Sequence, residues 1–332
     1  MQSRRVMADG SPRIEIAAGA GFVALADVLA RADGLPSDAS SWPHDMIGML
    51  AAPDPVRARL VAIASELSAE VTPISPSQPL LPFAPRSFRD FMLYERHAVD
   101  AARGFARRFL PRIAPVARAY EAVTGRDFPA FRPRPLWYRQ PIYYMGNHLA
   151  FVGDGAPIAL PRYTRALDYE LELGFVLARP LLDATPAVAE AAIGGFLVVN
   201  DFSARDVQLA EMRSGFGPQK AKHFVNAMSA LVVSADEVLP RWRELRGWVR
   251  INNTLVAEPA TAGPHWTLGE ALAHVSRGER LHPGELFATG TLPGGSGIER
   301  GRLLEPGDTI EIGIHGIGSI TNRIVDDGRG QS

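Results

Sequence analysis

Three textures of apolar and polar residues succeed one another along the chain. Residues 1–85 are Ala-rich, as in GFVALADVLARADG and PVRARLVAIASELSAE, with apolar positions recurring at roughly helical spacing. A proline-rich stretch, VTPISPSQPLLPFAPRSF, then breaks regular structure between Val71 and Phe88 and marks the best domain boundary. The following pattern predicts a helix from Phe88 to Arg118, interrupted in its C-terminal half by Pro111 and Pro115. Beyond FPAFRPRPLW come short β-type segments punctuated by Gly and Pro: LDYELELGFVLA, GGFLVVNDFS, MSALVVSADEV, GWVRINNTLV and DTIEIGIHGIGSI. Few helix-like stretches separate them, the one around Pro186 to Ala192 among them. The expected fold is therefore α+β and β-rich, a roll or barrel with little room for a doubly wound parallel sheet. Residues 1–85 form a smaller, helical N-terminal accessory domain in this reading, and residues 86–328 the catalytic domain.

Composition narrows the functions open to such a fold. A formal net charge of −1 argues against a nucleic-acid partner, which normally requires a basic excess. The absence of cysteine excludes disulfides, thiolate metal sites and a cysteine nucleophile. Any metal must be held by oxygen or imidazole. No apolar run approaches the ~18–20 residues of a membrane helix, and the first residues lack the apolar core of a signal peptide. A cytoplasmic protein is expected.

The most informative local pattern is acidic. On a strand, Asp168, Glu170 and Glu172 share one face, with Tyr169, Leu171 and Leu173 on the other. Three carboxylates on one face repel one another. They form either the solvated face of an edge strand or the cradle of a hard divalent cation, which favours carboxylate oxygens. A second acid, Asp201, ends the apolar run GGFLVVND, where it is either a cap or a ligand. On a continuous helix Asp90 and His97, seven residues apart, lie on nearly one face, facing a cleft or solvent.

Together these segments resemble the fumarylacetoacetate hydrolase superfamily. LDYELELGFVL resembles the family's L-D-x-E-x-E-L strand, and GFLVVNDFSARDVQ its N-D-x-S-A-R-D-x-Q segment. FRDFMLYERHA is similar to the family's aspartate with a histidine seven residues later. ATGTLPG and LLEPGDTIEIGIHGIGSITNRIV resemble its closing pattern. The likeness runs from about Arg86 to Val325 and does not extend to the first ~80 residues. It implies a β-roll catalytic fold, usually a homodimer, with a divalent cation held by Asp90, Glu170, Glu172 and Asp201. Mg²⁺ is the first choice, with Ca²⁺ or Mn²⁺ as alternatives. By resemblance His97 is the general base, Glu299 (or Glu305) its carboxylate partner, and Lys222 the lysine near the metal. Tyr144, Arg205, Gln208 and Thr291 fall on positions that contact substrate or hold the metal shell.

The implied reaction is metal-dependent hydrolysis of a C–C bond in an acylpyruvate or β-diketo acid. The same site is compatible with a decarboxylase, hydratase or isomerase of a small 2-oxo acid, and a metal-stabilised binding protein is a third reading. Departures from the family pattern cluster at the substrate end: Met92 and Ala106 replace a tyrosine and an arginine, GNHLAF replaces G-R-A-S-S, and Asn226 replaces a threonine. They point away from fumarylacetoacetate itself as the substrate. GGSGIERG lacks the ending of a phosphate loop, and Ser203 sits in no G-x-S-x-G context.

Overall fold

The computed structural model describes residues 1–68 and 78–326. Residues 71–77 of the proline-rich stretch and 327–328 at the end of the expected catalytic domain lie outside them.

The chain opens with strands where helical spacing was expected. Gln2–Ala8, Ser11–Ala18 and Gly21–Ala24 form an antiparallel meander, and helices follow at Leu25–Arg31, Met46–Ala51 and Asp54–Ser68. The overlooked signal is Asp9-Gly10, whose φ angles of 51° and 76° make the two-residue hairpin turn that matches strand twist. A second correction concerns Asp90. Phe88–Phe91 is a strand, parallel to Leu286–Ala288 and antiparallel to Tyr143–Gly146. Local spacing was overridden by pairing with segments far away in sequence. The helix begins only at Glu95 and ends at Phe109, just before Pro111. A separate helix, Ile113–Thr124, tolerates Pro115 in its first turn and closes on Gly125 at φ 64°.

The fold is α+β, with helix and strand in roughly equal measure. The main sheet runs in the order 21–24, 11–18, 2–8, 231–234, 193–200, 170–177, 286–296, 88–91, 143–146. The N-terminal strands thus extend the sheet that carries the acids, through pairing of Gln2–Arg4 with Leu231–Val233. A five-stranded sheet (254–257, 247–251, 309–314, 318–326, 158–160) lies against it.

Strand Glu170–Leu177 is buried along its whole length and divides the core. Leu171, Leu173, Phe175 and Leu177 enter the core shared with the smaller sheet, with Ile310, Ile312 and Ile320. On the opposite face Val176 packs with Leu197, Leu286 and the N-terminal Met49, Leu50 and Leu60. Glu170 and Glu172 belong to that same face by alternation. The N-terminal layer therefore covers one end of a sheet face whose other end carries the acids. Among the described residues no helix is long and apolar enough to cross a membrane.

Candidate active site

Three strands bring the four carboxylates together. Asp90 lies on Phe88–Phe91, Glu170 and Glu172 on Glu170–Leu177, and Asp201 directly after Ile193–Asn200. The end of the last strand is fixed by two bonds: Asp201 N–H donates to Glu170 O (3.1 Å), and Glu170 N–H to Asn200 Oδ1 (3.0 Å). Asp90, Glu172 and Asp201 each present an oxygen within 4.8 Å of the others, all three buried. Glu170 is engaged differently. Its oxygens accept from Arg205 Nη2 (2.7 Å) and from the Lys222 ammonium, which also binds Asp201. Glu170 thus stands beside the three-carboxylate cluster, joined to it by Lys222.

Charge is badly unbalanced here. Five buried carboxylates (Asp90, Asp168, Glu170, Glu172, Asp201) face two buried cations, Arg205 and Lys222, a deficit of three when all are ionised. Burial pushes Asp90 well above the usual carboxylate range, and the charges of Glu172 and Asp201 push it further. Burial does the same to Glu172, reinforced by Asp201 and Glu170. Asp201 is raised by burial against the opposing Lys222. Burial also acts on Glu170, but Arg205 and Lys222 overcome it and hold its carboxyl well below the ordinary range. Asp90 Oδ1 and Glu172 Oε2 have no hydrogen-bond partner among the described residues. An all-oxygen set with orphaned carboxylate atoms and excess negative charge fits a hard divalent cation.

These shifts carry a sign that can be measured. A carboxyl raised on folding makes the native state bind protons more tightly than the unfolded chain. Its contribution is favourable below the unfolded value near pH ~4 and is lost as pH rises toward the raised native value. In the buried cluster Asp90, Asp168, Glu172 and Asp201 are raised and only Glu170 is lowered. Urea unfolding of chelator-treated protein should therefore show stability falling from about pH 5 to pH 8, with saturating Mg²⁺ flattening the trend. A metal-free protein that gains stability over that interval would contradict the charge assignment.

His97 enters from the first turn of the Glu95–Phe109 helix and is buried. Its Nδ1 lies 3.3 Å from Glu299 Oε2, and its Nε2 lies 3.8 Å from Glu170 Oε1. Glu299 is held by a capping box, accepting Ser296 N–H (3.1 Å) and Oγ–H (2.7 Å), while its other oxygen accepts Gly294 N–H (3.0 Å). Glu305, the alternative partner, sits at an exposed turn where its N–H binds Asp308. The geometry favours Glu299.

Tyr144 stands opposite Asp90 in register and donates its hydroxyl to Asp201 Oδ2 (2.8 Å). Thr291 is in register with Glu172, and its Oγ1 lies 3.3 Å from Glu172 Oε1. Arg205 and Gln208 are placed otherwise. The guanidinium is buried and taken up by Asp168, Glu170 and Gln208 Oε1. Asn226, noted only as a departure, is buried beside Asp201 and donates to its Oδ1 (2.9 Å) in the amide orientation that satisfies both ends. Asp168 lies outside the three-carboxylate cluster and binds Arg205 Nε and the backbone N–H groups of Gly297 and Ile298.

Fold and site together define an α+β architecture with a buried carboxylate cluster suited to a divalent cation at strand ends and a buried histidine–glutamate pair at its edge. The family model for the fumarylacetoacetate (FAA) hydrolase C-terminal region matches residues 112–325, and the chain belongs to that family. Asp90 and His97 precede the matched stretch. Human mitochondrial oxaloacetate tautomerase FAHD1 is 31% identical over 185 residues, 56% of this chain and 81% of that protein. Among solved structures, fumarylacetoacetate hydrolase from psychrophilic Exiguobacterium antarcticum superposes with a TM-score of 0.67 at 21% identity, covering 98% of this chain and 99% of that one. The 5-carboxymethyl-2-hydroxymuconate delta-isomerase from Mycobacterium smegmatis does so with a TM-score of 0.62 at 18% identity, covering 98% and 100%. Both likenesses establish the fold.

Proposed function

We propose that the protein is a divalent-metal-dependent hydrolase that cleaves a C–C bond in an acylpyruvate or β-diketo acid. The observation that carries this reading is the His97–Glu299 pair at the edge of the carboxylate cluster. With Nδ1 3.3 Å from Glu299 Oε2, the carboxylate favours the tautomer protonated at Nδ1, in which Nε2 is a proton acceptor. The 3.8 Å between Nε2 and Glu170 Oε1 is too long for a direct bond, and in this reading the attacking water would sit between them and donate to both. That water keeps a lone pair free for attack on a carbonyl carbon, with His97 taking its proton. Asp90, Glu172 and Asp201 would hold the cation, Mg²⁺ first and Ca²⁺ or Mn²⁺ as alternatives. When bound, it stabilises negative charge developing on the substrate's oxygens. Lys222 and Tyr144, both on Asp201, and Thr291, on Glu172, ring the cluster and position the acid.

A second reading has its own support. The likeness to an oxaloacetate tautomerase suits the same base removing a proton from carbon, with no water attack.

Turnover of a panel of acylpyruvates and oxaloacetate, with Mg²⁺ or Mn²⁺ and with EDTA, separates the two. Metal-dependent loss of the enol absorbance with release of a carboxylic acid is the expected result. Enol–keto exchange without fragmentation would move the protein to the tautomerases, and CO₂ release to the decarboxylases. No reaction of a metal-loaded protein with any member would sink the assignment.

A further inference from the structure

Asp168 accepts four hydrogen bonds and makes none of them to a substrate-facing group. Oδ1 takes the N–H of Tyr169 (2.8 Å) and of Gly297 (2.8 Å); Oδ2 takes the N–H of Ile298 (2.8 Å) and Arg205 Nε (2.7 Å). Gly297 and Ile298 open the four-residue helix whose third residue is Glu299. Arg205, in turn, binds Glu170 Oε1 through Nη2 (2.7 Å). Asp168 thus lies at the junction of two arms. One ends on Glu299, beside Nδ1 of His97; the other ends on Glu170, beside Nε2.

Both arms are tight. A Cβ on Gly297 would come within 2.3 Å of Asp168 Oδ1 and 2.2 Å of Arg302 O, so only glycine lets the turn rest on the carboxylate. From the opposite side, a Cβ on Gly104 would meet Ile298 O at 2.1 Å. Gly104 belongs to the His97 helix, so that helix and the Glu299 turn touch backbone to backbone. These backbone contacts set the approach of the two elements that carry the imidazole and the carboxylate.

We propose that Asp168 is the positioning residue of the His97–Glu299 pair, holding both neighbours of the imidazole and thereby selecting its Nδ1–H tautomer. The inference rests on the reading of His97 as the base. An amide cannot replace the carboxylate: both oxygens face donors only, so the NH₂ of asparagine would oppose N–H groups wherever it pointed.

The test uses the Mg²⁺-loaded protein with Asp168→Asn, and Gly297→Ala as a second variant should the first fail to fold. The expected result is a fall in kcat of about tenfold or more with KM changed less than about threefold, since orientation acts on the transition state and leaves substrate binding alone. Independently of substrate, ¹⁵N-histidine NMR of the wild type should show His97 protonated at Nδ1, and either variant should shift population to the Nε2–H form. A folded variant with wild-type kcat and an unchanged His97 tautomer would overturn the proposal, leaving Asp168 a simple helix cap. A tautomer shift in a protein that turns over no acid in the panel would instead support the positioning role while sinking the hydrolase reading.

Discussion

Replacing His97 by alanine is expected to lower kcat by about 10²–10⁴-fold, the range lost with a general base, while metal affinity and folding persist. The substitution is clean for structural reasons. His97 Nδ1 has no aligned hydrogen-bond partner, and Glu299 Oε2 retains the Ser296 N–H and Oγ–H when the imidazole is removed. The cluster oxygens of Asp90, Glu172 and Asp201 belong to other elements and stay in place. Steady-state kinetics alongside calorimetric Mg²⁺ titration checks both halves of the statement. Because His97 and Glu299 act as a unit, Glu299→Gln combined with His97→Ala should be scarcely worse than His97→Ala alone. Strict additivity would separate the roles of the two residues, and an unchanged rate in the single variant would remove His97 from the chemistry.

The second large effect has opposite signs in two states of the protein. Glu172→Gln should weaken Mg²⁺ binding by at least about 100-fold, since a buried anionic oxygen is removed from a three-carboxylate set. In chelator the same variant should be more stable than wild type by about 1–2 kcal/mol. The reason lies in the neighbours. After burial itself, Glu172 is the largest cause of the raised Asp90 carboxyl, and it too is raised by Asp201 and Glu170. Neutralising it relieves repulsion on both sides. Urea unfolding with and without Mg²⁺ reads both signs in one series. A loss of stability in chelator would mean that the cluster is self-supporting through shared protons, with no need of a cation.

Much of this site could be read locally, because strand alternation alone puts Glu170 and Glu172 on one face, and the end of an apolar run exposes Asp201. Asp90 could not be placed that way. Its strand exists only through pairing with 286–288 and 143–146, and an isolated window around FRDFMLYERHA carries helical spacing just as well. The N-terminal meander was legible but misread: Ala-rich spacing hid the Asp9-Gly10 turn that decides it. Glu299 and Glu305 are equally near in sequence, and only the capping box at Ser296 separates them. Arg205 shows the limit of assigning roles by type. An arginine beside an acidic site suggests substrate carboxylates, but its fork is already filled by Asp168 and Glu170.

The pairing of Gln2–Arg4 with Leu231–Val233 has a consequence for how self-contained the fold is. A chain lacking the opening meander would leave Leu231–Ser234 as a rim of unpaired N–H and C=O groups, with apolar Val232 and Val233 beside it. Such a rim recruits strands from other molecules and seeds aggregates. The opening meander, which contributes no group to the site described above, covers that rim and ends the sheet instead on the four-residue strand Gly21–Ala24.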